Sequence, residues 1–153
     1  MPDLLVNLLK LPPREDASTQ GFIIRRAQPF ELTPVRTFVA ENFAPRWADE
    51  VSVGFARQPI SVFIATIDRE VAGFAAYECT RRGYFGPTGV HSTAQGRGIG
   101  KALLLASLEA LREMGYVYAI IGAAGPVRFY QKTVGAIIIP DSEPGIYTDL
   151  LKT

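Results

Sequence analysis

The fold of this chain is decided by the stretch from Gly89 to Gly115, which reads G-V-H-S-T-A-Q-G-R-G-I-G-K-A-L-L-L-A-S-L-E-A-L-R-E-M-G. The pattern predicts the end of a β-strand, a glycine-rich turn at residues 95–100, and a long helix. Three of the six residues of the glycine-rich turn are glycines, so its backbone can bend tightly and its amides are unshielded. The helix directs its free N–H groups and the positive end of its dipole at this turn. This combination predicts a binding site for an anion of the phosphate type.

Two other phosphate-binding motifs and a turn without a ligand compete with this interpretation. A P-loop needs a glycine where Gln95 stands and a serine or threonine after Lys101, where this chain has Ala102. The dinucleotide fingerprint Gly-x-Gly-x-x-Gly differs from the Gly-x-Gly-x-Gly found here, and no β-α-β unit opens the chain. A purely structural turn stays open, because glycine runs alone are weak signals.

Composition excludes several classes of protein. A length of 153 residues suits one domain with a sizeable core, and the net charge of +1 gives no field that favours nucleic acid or an anionic membrane. One cysteine and one histidine leave no intrachain disulfide and no Cys/His metal cluster, so no metal is expected. No apolar run approaches the roughly 18 residues of a membrane span. The leucine-rich start lacks the basic residues of a signal peptide, so we expect a cytoplasmic protein.

The pattern divides the chain into an N-terminal appendage, residues 1–20, and a domain over residues 21–153. The leucines of the appendage are too few for a stable lone helix. We expect them to pack on the domain or on a second subunit, which makes a homodimer possible. The domain is predicted to have strands at 21–26, 60–67, 71–79, 84–91, 116–122, 137–139 and 146–151, and helices at 29–43, 45–57, 99–114 and 125–133. Gly86, Pro87 and Gly89 predict a bulge in the fourth of these strands.

The sequence V-H-S-T-A-Q-G-R-G-I-G-K-A-L-L, residues 90–104, resembles motif A of the GNAT acyltransferase superfamily. That motif is a valine ending a strand, a short connector, Gln/Arg-Gly-x-Gly-x-Gly/Ala and a helix. The order of elements over residues 21–151 is also similar to the GNAT fold. The resemblance implies an α/β fold of the α+β kind, with a mixed sheet of about seven strands, splayed between strands 4 and 5, and about four helices.

The same resemblance implies that acetyl-CoA is the cosubstrate. In the family, the amides of the turn hold the pyrophosphate, and the pantetheine arm lies between the two splayed strands. The implied cofactor-binding residues are Val90, His91, Gln95, Gly96, Arg97, Gly98, Ile99, Gly100 and Lys101. Arg128 and Lys132 are further cations that could neutralise CoA phosphates.

The segment R-F-Y-Q-K at 128–132 resembles the family's F-Y-x-K segment, whose tyrosine commonly donates a proton to the CoA thiolate. Tyr130 is therefore the predicted general acid, and a phenol with a pKa of about 10 is protonated at neutral pH. A buried aromatic residue with a satisfied hydroxyl is the alternative. The chain departs from the family at Ala123, where an asparagine is common, and in K-T-V-G-A, which is one residue longer than K-x-G-F.

The general base is left open between Glu78, His91 and a chain of water molecules. Glu78 could accept a proton through water, but a solvated carboxylate at a strand end explains it better. Histidine as a residue type has a suitable intrinsic pKa for a base, but a lone histidine such as His91 is more often structural. Cys79 is not expected to be a nucleophile, because no histidine or aspartate partner is suggested.

The reaction implied by the resemblance is direct transfer of an acetyl group from the thioester to an amine in a ternary complex. In this chain, the region that corresponds to the family's acceptor site contains Phe43, Trp47, Asp49, Glu50, Tyr84 and Phe85. We expect a primary amine of a small molecule, since the chain lacks a charged or long docking surface, although an aminoacyl group and a protein lysine stay open. A non-catalytic acyl-CoA-binding or sensing module is the alternative function, and it would not need Tyr130 near the thioester.

Overall fold

Strands and helices alternate through the computed structural model, which describes residues 1–15 and 20–152. The strands are β1 (Leu4–Asn7), β2 (Ile23–Arg26), β3 (Val62–Ile67), β4 (Glu70–Tyr77), β5 (Tyr84–Val90), β6 (Tyr118–Ile121) and β7 (Ile137–Ile138). The α-helices are α1 (Leu32–Asn42), α2 (Pro45–Phe55), α3 (Ile99–Glu113) and α4 (Val127–Val134). A 3-10 turn at Pro29–Glu31 precedes α1, so this helix begins later than predicted.

The seven strands form one mixed sheet in the order β2-β3-β4-β5-β6-β1-β7. Only β5 and β6 run parallel, because the crossover through α3 joins them, and they pair at just two positions, Tyr84 with Ile120 and Phe85 with Ile121. Beyond Phe85, β5 continues to Val90 while the chain leaves β6. The predicted α/β fold and the separation of these two strands are confirmed.

A bulge bends β5 at the point of separation. The pairing of β5 with β4 shifts register between Ala75 and Tyr77, whose partners are Thr88 and Phe85. Three steps along β5 therefore match two steps along β4, and the extra residue lies at Gly86–Pro87. Gly86 has a φ of +119°, which a residue with a side chain rarely adopts. The bulge predicted from the glycines and the proline is confirmed.

The N-terminal segment corrects two expectations. Residues 4–7 are not an outer appendage but an interior strand, because β1 pairs with β6 over four positions and with β7 on its other side. Leu4 and Val6 are fully buried and alternate with the half-exposed Leu5 and Asn7, which is the period of a strand. Residues 146–151, which were predicted to close the sheet, form no strand, since β1 takes the place beside β7.

Helices cover both faces of the sheet. On one face, α3 buries an apolar stripe that includes Leu103, Leu108 and Leu111 in one core with Tyr130 of α4. On the other face, α1 and α2 pack Val39 and Val51 against strands β3 and β4 in a second core. The glycine-rich turn at the start of α3 is therefore anchored by the longest and most buried helix.

Replacing Leu4 by alanine tests the interior position of β1. We expect Leu4→Ala to lower the free energy of unfolding by about 2–5 kcal/mol, because this side chain is fully buried and its removal leaves a cavity. Urea unfolding followed by circular dichroism measures the change. Leu9→Ala is the matched control: Leu9 is 66% exposed, so its removal should change stability by less than about 0.5 kcal/mol. Equal effects of the two substitutions would contradict the strand assignment.

Candidate active site

The backbone of the glycine-rich turn is held in a shape that leaves its amides open. Gly96 and Gly98 have φ values of +80° and +84°, and Gly98 is the N-cap of α3. The first helical backbone bond runs from the N–H of Ala102 to the carbonyl of Gly98, at 3.1 Å. Within residues 1–15 and 20–152, the amides of residues 96–101 have no hydrogen-bond acceptor. A run of free N–H groups at a helix start is a geometry that binds phosphate.

Two side chains of this turn stabilise its shape. Ile99 is 1% exposed, so its side chain anchors α3 in the core and only its amide faces outward. Gln95 donates from Nε2 to the carbonyl of Val90 at 3.3 Å, which ties the turn to the end of β5. Arg97 is exposed, and Lys101 lies 3.9 Å from the carboxylate of Glu15 in an exposed ion pair that contributes little.

Within the described residues, the end of β5 pairs with another strand along one edge only, and on the rest of the backbone the side chain of Gln95 reaches the carbonyl of Val90. The paired edge is bonded to β4, where Gly89 lies opposite Phe74 and Val90 opposite Gly73. A Cβ atom on Gly89 would lie 2.4 Å from the ring of Phe43, so only glycine fits there. The edge that faces away from β4 has no β6 partner beyond Phe85, and its polar groups point into the opening between the two strands.

Tyr130 lies at the inner end of this opening. Its ring is 4% exposed and packs edge-on against Phe85, the last residue of β5 that pairs with β6, and against Phe129, at centroid distances of 6.3 and 5.2 Å. Burial raises the pKa of Tyr130 to about 12. The phenol is therefore protonated at neutral pH, and its hydroxyl has no hydrogen-bond partner in the described part of the chain.

Glu78 is buried rather than solvated, which corrects one of the two interpretations of this residue. Its side chain is 2% exposed, and its carboxylate accepts from the N–H of Gly83 at 2.5 Å and lies 3.4 Å from Nη2 of Arg57. Burial, together with Glu78, raises the pKa of Tyr116. The carboxylate of Glu78 thus holds the turn between β4 and β5, and both of its oxygens are engaged.

His91 caps the short 3-10 turn of residues 92–94. Its Nδ1 accepts from the N–H of Thr93 at 3.1 Å and lies 2.8 Å from the hydroxyl of the same residue. An Nδ1 that accepts from a backbone amide places the proton of the neutral ring on Nε2. The ring lies beside Phe38, at a centroid distance of 6.3 Å. This geometry gives His91 a structural role.

The predicted acceptor residues divide into two groups. Phe43 stacks on Trp47 at 5.8 Å and Trp47 is 36% exposed, so these rings form an open aromatic surface. Glu50 accepts from the hydroxyl of Thr80 at 2.8 Å. Asp49 is instead an exposed partner of Arg36, and Phe85 is 2% exposed on the opposite face of the sheet, in the core with Tyr130. Asp49 and Phe85 therefore lie apart from the other predicted acceptor residues.

Two residues that the sequence analysis missed lie beside this group. Asp3 accepts through Oδ1 from the N–H of Ala123 at 2.8 Å, just after β6 ends. The hydroxyl oxygen of Tyr147 covers Gly122, where a Cβ atom would lie 2.7 Å from it and 3.1 Å from the ring of Tyr84. Neither residue belongs to a recognisable motif, because each comes from one end of the chain and reaches the site only through the sheet.

Two cavities flank the glycine-rich turn outside the strand opening. The larger, of about 500 Å³, lies between α3 and β2 and includes Phe22, Lys101 and Leu105 in its lining. The second, of about 430 Å³, lies between α1 and the turn and includes Phe38, His91 and Arg97. We place the candidate site at the strand opening, because the unpaired backbone groups and the phenol meet there.

Neither a metal site nor a membrane span is found in the described residues. Among them, histidine, cysteine and carboxylate side chains do not gather in groups of three that could hold a metal ion. No helix within residues 1–15 and 20–152 is both long and apolar enough to cross a bilayer.

Known proteins match the chain in sequence pattern and in fold. The model of the acetyltransferase (GNAT) family matches residues 23–136. No curated protein matches the chain.

Three solved structures show the same fold at low sequence identity. An N-acetyltransferase from Sphaerobacter thermophilus superposes with a TM-score of 0.72 at 20% identity, covering 90% of this chain and 48% of that one. A glucosamine N-acetyltransferase region of a fungal multi-domain β-N-acetylglucosaminidase gives 0.73 at 16% identity, covering 90% of this chain and 19% of that one. An acetyltransferase from Brucella melitensis in complex with acetyl-CoA gives 0.56 at 22% identity, covering 72% and 80%. The chain thus spans less than half the length of the first two proteins.

Replacing Glu78 by alanine tests its structural role. We expect Glu78→Ala to lower the free energy of unfolding by about 1–3 kcal/mol, because the N–H of Gly83 loses its acceptor. Urea unfolding measures the loss. Glu78→Gln is the matched control, since its amide oxygen can still accept from Gly83, and it should recover most of the stability. An alanine variant as stable as the parent would show that the bond to Gly83 does not support the fold.

Proposed function

Because this chain belongs to the acetyltransferase (GNAT) family, we propose that it transfers the acetyl group of acetyl-CoA to a primary amine of a small molecule. The amine attacks the thioester directly in a ternary complex. The observation that carries the proposal is the run of amides at residues 96–101, which have no acceptor among the described residues, beside an edge of β5 that pairs with no described strand. Amides that bind phosphate suit the pyrophosphate of a CoA thioester, and an open strand edge suits the arm that carries the thioester.

Acetyl-CoA is the cosubstrate, and its parts match the chemistry of two surfaces. The pyrophosphate suits the amides of the glycine-rich turn, because they carry the positive end of the α3 dipole. The pantetheine arm contains amide groups that can pair with β5 at Val90. The backbone of His91 is not open in this way, because its N–H donates to the carbonyl of Ala72 and its carbonyl accepts from the N–H of Ala94. Arg97, Arg128 and Lys132 are exposed cations that can approach the outer phosphates.

The transfer step requires one proton to be supplied and one to be removed. The nitrogen lone pair of the amine forms the new C–N bond, and the C–S bond breaks to release the CoA thiolate. We assign the proton for this thiolate to Tyr130, whose pKa of about 12 keeps the phenol protonated. The excess proton of the amine passes to water in this proposal, since Glu78 and Nδ1 of His91 are engaged in hydrogen bonds.

A non-catalytic acyl-CoA-binding module is the other function that the turn would permit. Such a module needs the amides and the strand edge but no proton donor beside the thioester. The hydroxyl of Tyr130 has no hydrogen-bond partner in the described residues, although its ring is buried. A phenol whose ring is buried but whose hydroxyl keeps contact with solvent favours catalysis, because a residue kept only for packing is equally served by phenylalanine.

Release of thiol from acetyl-CoA across a panel of primary amines separates these functions. We expect amine-dependent release with at least one small amine, above the hydrolysis seen without amine. A panel that also contains an aminoacyl compound and a lysine peptide tests the other acceptor classes. Acetyl-CoA binding without release for any acceptor would support the binding module.

Replacing Gly98 by valine tests the binding site for the cosubstrate. The Cβ and branched side chain of valine would crowd the approach of the pyrophosphate to the turn and strain a φ of +84°. We expect Gly98→Val to weaken acetyl-CoA binding at least about tenfold, equivalent to about 1.4 kcal/mol, as measured by calorimetry. Gly115→Val is the matched control, because Gly115 has a φ of +103° after the other end of α3 and should leave affinity unchanged. Unchanged affinity in a folded Gly98→Val protein would show that the pyrophosphate does not bind at this turn.

Replacing Tyr130 by phenylalanine tests the general acid. Tyr130→Phe removes one hydroxyl and little volume, so we expect acetyl-CoA affinity to stay and kcat and kcat/KM to fall together by roughly 10²–10⁴. Tyr118→Phe is the control, since Tyr118 is 54% exposed. Full activity of the Tyr130→Phe protein with its best amine would exclude Tyr130 from the mechanism.

The pH dependence gives a second readout for Tyr130. A general acid acts while protonated, and a pKa raised to about 12 keeps it protonated further into the alkaline range than an ordinary phenol. Between about pH 8 and pH 10, ionisation of Tyr130 should therefore cause no fall in the kcat of the parent protein.

A further inference from the structure

The two ends of the chain meet where β6 ends, beside the strand opening. Asp3 precedes β1, and its Oδ1 accepts from the N–H of Ala123. Tyr147 belongs to the C-terminal segment, residues 139–152, and its hydroxyl covers Gly122. The site proposed for acetyl transfer is therefore bordered by two residues from outside the part that matches the family, residues 23–136.

Asp3 is a buried carboxylate without a counter-ion in the described part of the chain. It is 7% exposed, and its Oδ2, which has no hydrogen-bond partner there, still reaches solvent. The amino group of Met1 pairs with Glu143 instead. The backbone of Asp3 is fixed at both sides, since its N–H donates to Oγ of Ser142 at 2.9 Å and its carbonyl accepts from the N–H of Ile139 at 2.9 Å. A carboxylate that is fixed in place, has no cation beside it in the described residues and keeps one oxygen open to solvent can bind a positive ligand.

The surrounding groups carry more negative than positive charge. Burial raises the pKa of Tyr84, and the charge of Asp3 adds to this effect. Burial also raises the pKa of Tyr147 to about 12, with further contributions from Glu50 and then Asp3. Arg81 opposes both shifts, but it is exposed and donates to the carbonyl of Thr80. Asp3 and the exposed Arg81 therefore act on both phenols, and Glu50 adds its negative charge at Tyr147.

The C-terminal segment covers the end of β6. It leaves β7, contacts Asp3 through Ser142, and reaches α2, where Nη2 of Arg46 donates to the carbonyl of Leu151 at 2.5 Å. Tyr147 lies between these two attachments, and its N–H donates to the carbonyl of Pro144 at 3.0 Å. The segment thus spans from the β1 side to α2 and places one phenol over the end of β6.

We propose that the acceptor is an amine that carries a second positive charge, and that Asp3 binds this charge, assisted by Glu50 and the hydroxyl of Tyr147. The proposal rests on the acetyl transfer proposed above and names the substrate class of the same site. The carboxylate of Asp3 attracts the distal ammonium, and the phenol oxygen of Tyr147 accepts a hydrogen bond from it. The reacting amine then extends from this anchor toward the strand opening.

A matched pair of acceptors tests the proposal. 1,4-Diaminobutane carries a second ammonium, whereas 4-amino-1-butanol has a neutral hydroxyl at the same place. In the parent protein, we expect kcat/KM for the diamine to exceed that for the amino alcohol at least about tenfold, mostly through KM. In Asp3→Asn, this ratio should fall to about three or less, since the charge is lost while Oδ1 can still accept from Ala123.

Two controls separate the charge of Asp3 from changes in stability or net charge. Glu113→Gln makes the same change in net charge on the exposed side of α3 and should keep the ratio of the parent. Thermal unfolding of Asp3→Asn should match the parent within a few degrees. A parent ratio near one, or a ratio that survives in Asp3→Asn, overturns the proposal.

Binding of the two amines to the CoA complex, measured by calorimetry, does not depend on turnover. The same preference for the diamine is expected, and Asp3→Asn should remove it. Selective binding of the diamine without any acetyl transfer would refute the enzyme but not the anchor. Equal transfer to both amines would keep the enzyme and refute the anchor.

Discussion

The separation of β5 from β6 is the constraint on which the candidate site depends. The two strands share two paired positions, and then the bulge at Gly86 turns β5 away while the chain leaves β6 at Gly122. The separated part of β5 keeps its other edge bonded to β4, so it stays ordered without a second neighbour. Because Gly89 allows the ring of Phe43 to approach its backbone, α1 and α2 also hold this strand from one face. The opening is thus a rigid feature, and its free backbone groups are already in place for a ligand.

The glycine-rich turn gains its shape from the helix behind it. The apolar side of α3 fills the core on one face of the sheet, and Ile99 anchors its first turn. Burial of this stripe stabilises the helix, so the unsatisfied amides at its start need no partner within the described chain to remain ordered. The dipole and the amides therefore point at the outer end of the opening, while Tyr130 occupies its inner end. A single long ligand with phosphates at one end and a thioester at the other would contact both.

Local patterns predicted the parts of the site that lie close together in the chain. The turn, α3 and the bulge follow from glycine spacing and from the apolar period of residues 99–114, and each is confirmed. Strand pairing is not local: Leu4–Asn7 pairs with Tyr118–Ile121 far along the chain, so the pattern alone could not show that it replaces residues 146–151 beside β7. The burial of Glu78 escaped prediction for the same reason, because its partner Arg57 lies in another segment. Tertiary context decided these positions, whereas local preference decided the others.

The interior position of β1 links the closure of the sheet to the charge beside the opening. Since β1 is hydrogen-bonded on both edges, Asp3 cannot shift without disturbing β6 and β7. The backbone of Asp3 also holds Ser142 and Ile139, so the same residue attaches the C-terminal segment that places Tyr147 over Gly122. The carboxylate therefore stays beside the end of β6, although no cation of the described residues pairs with it. The negative charge at the end of β6 is therefore preorganised, and a cationic group that reaches it meets a site that needs no rearrangement.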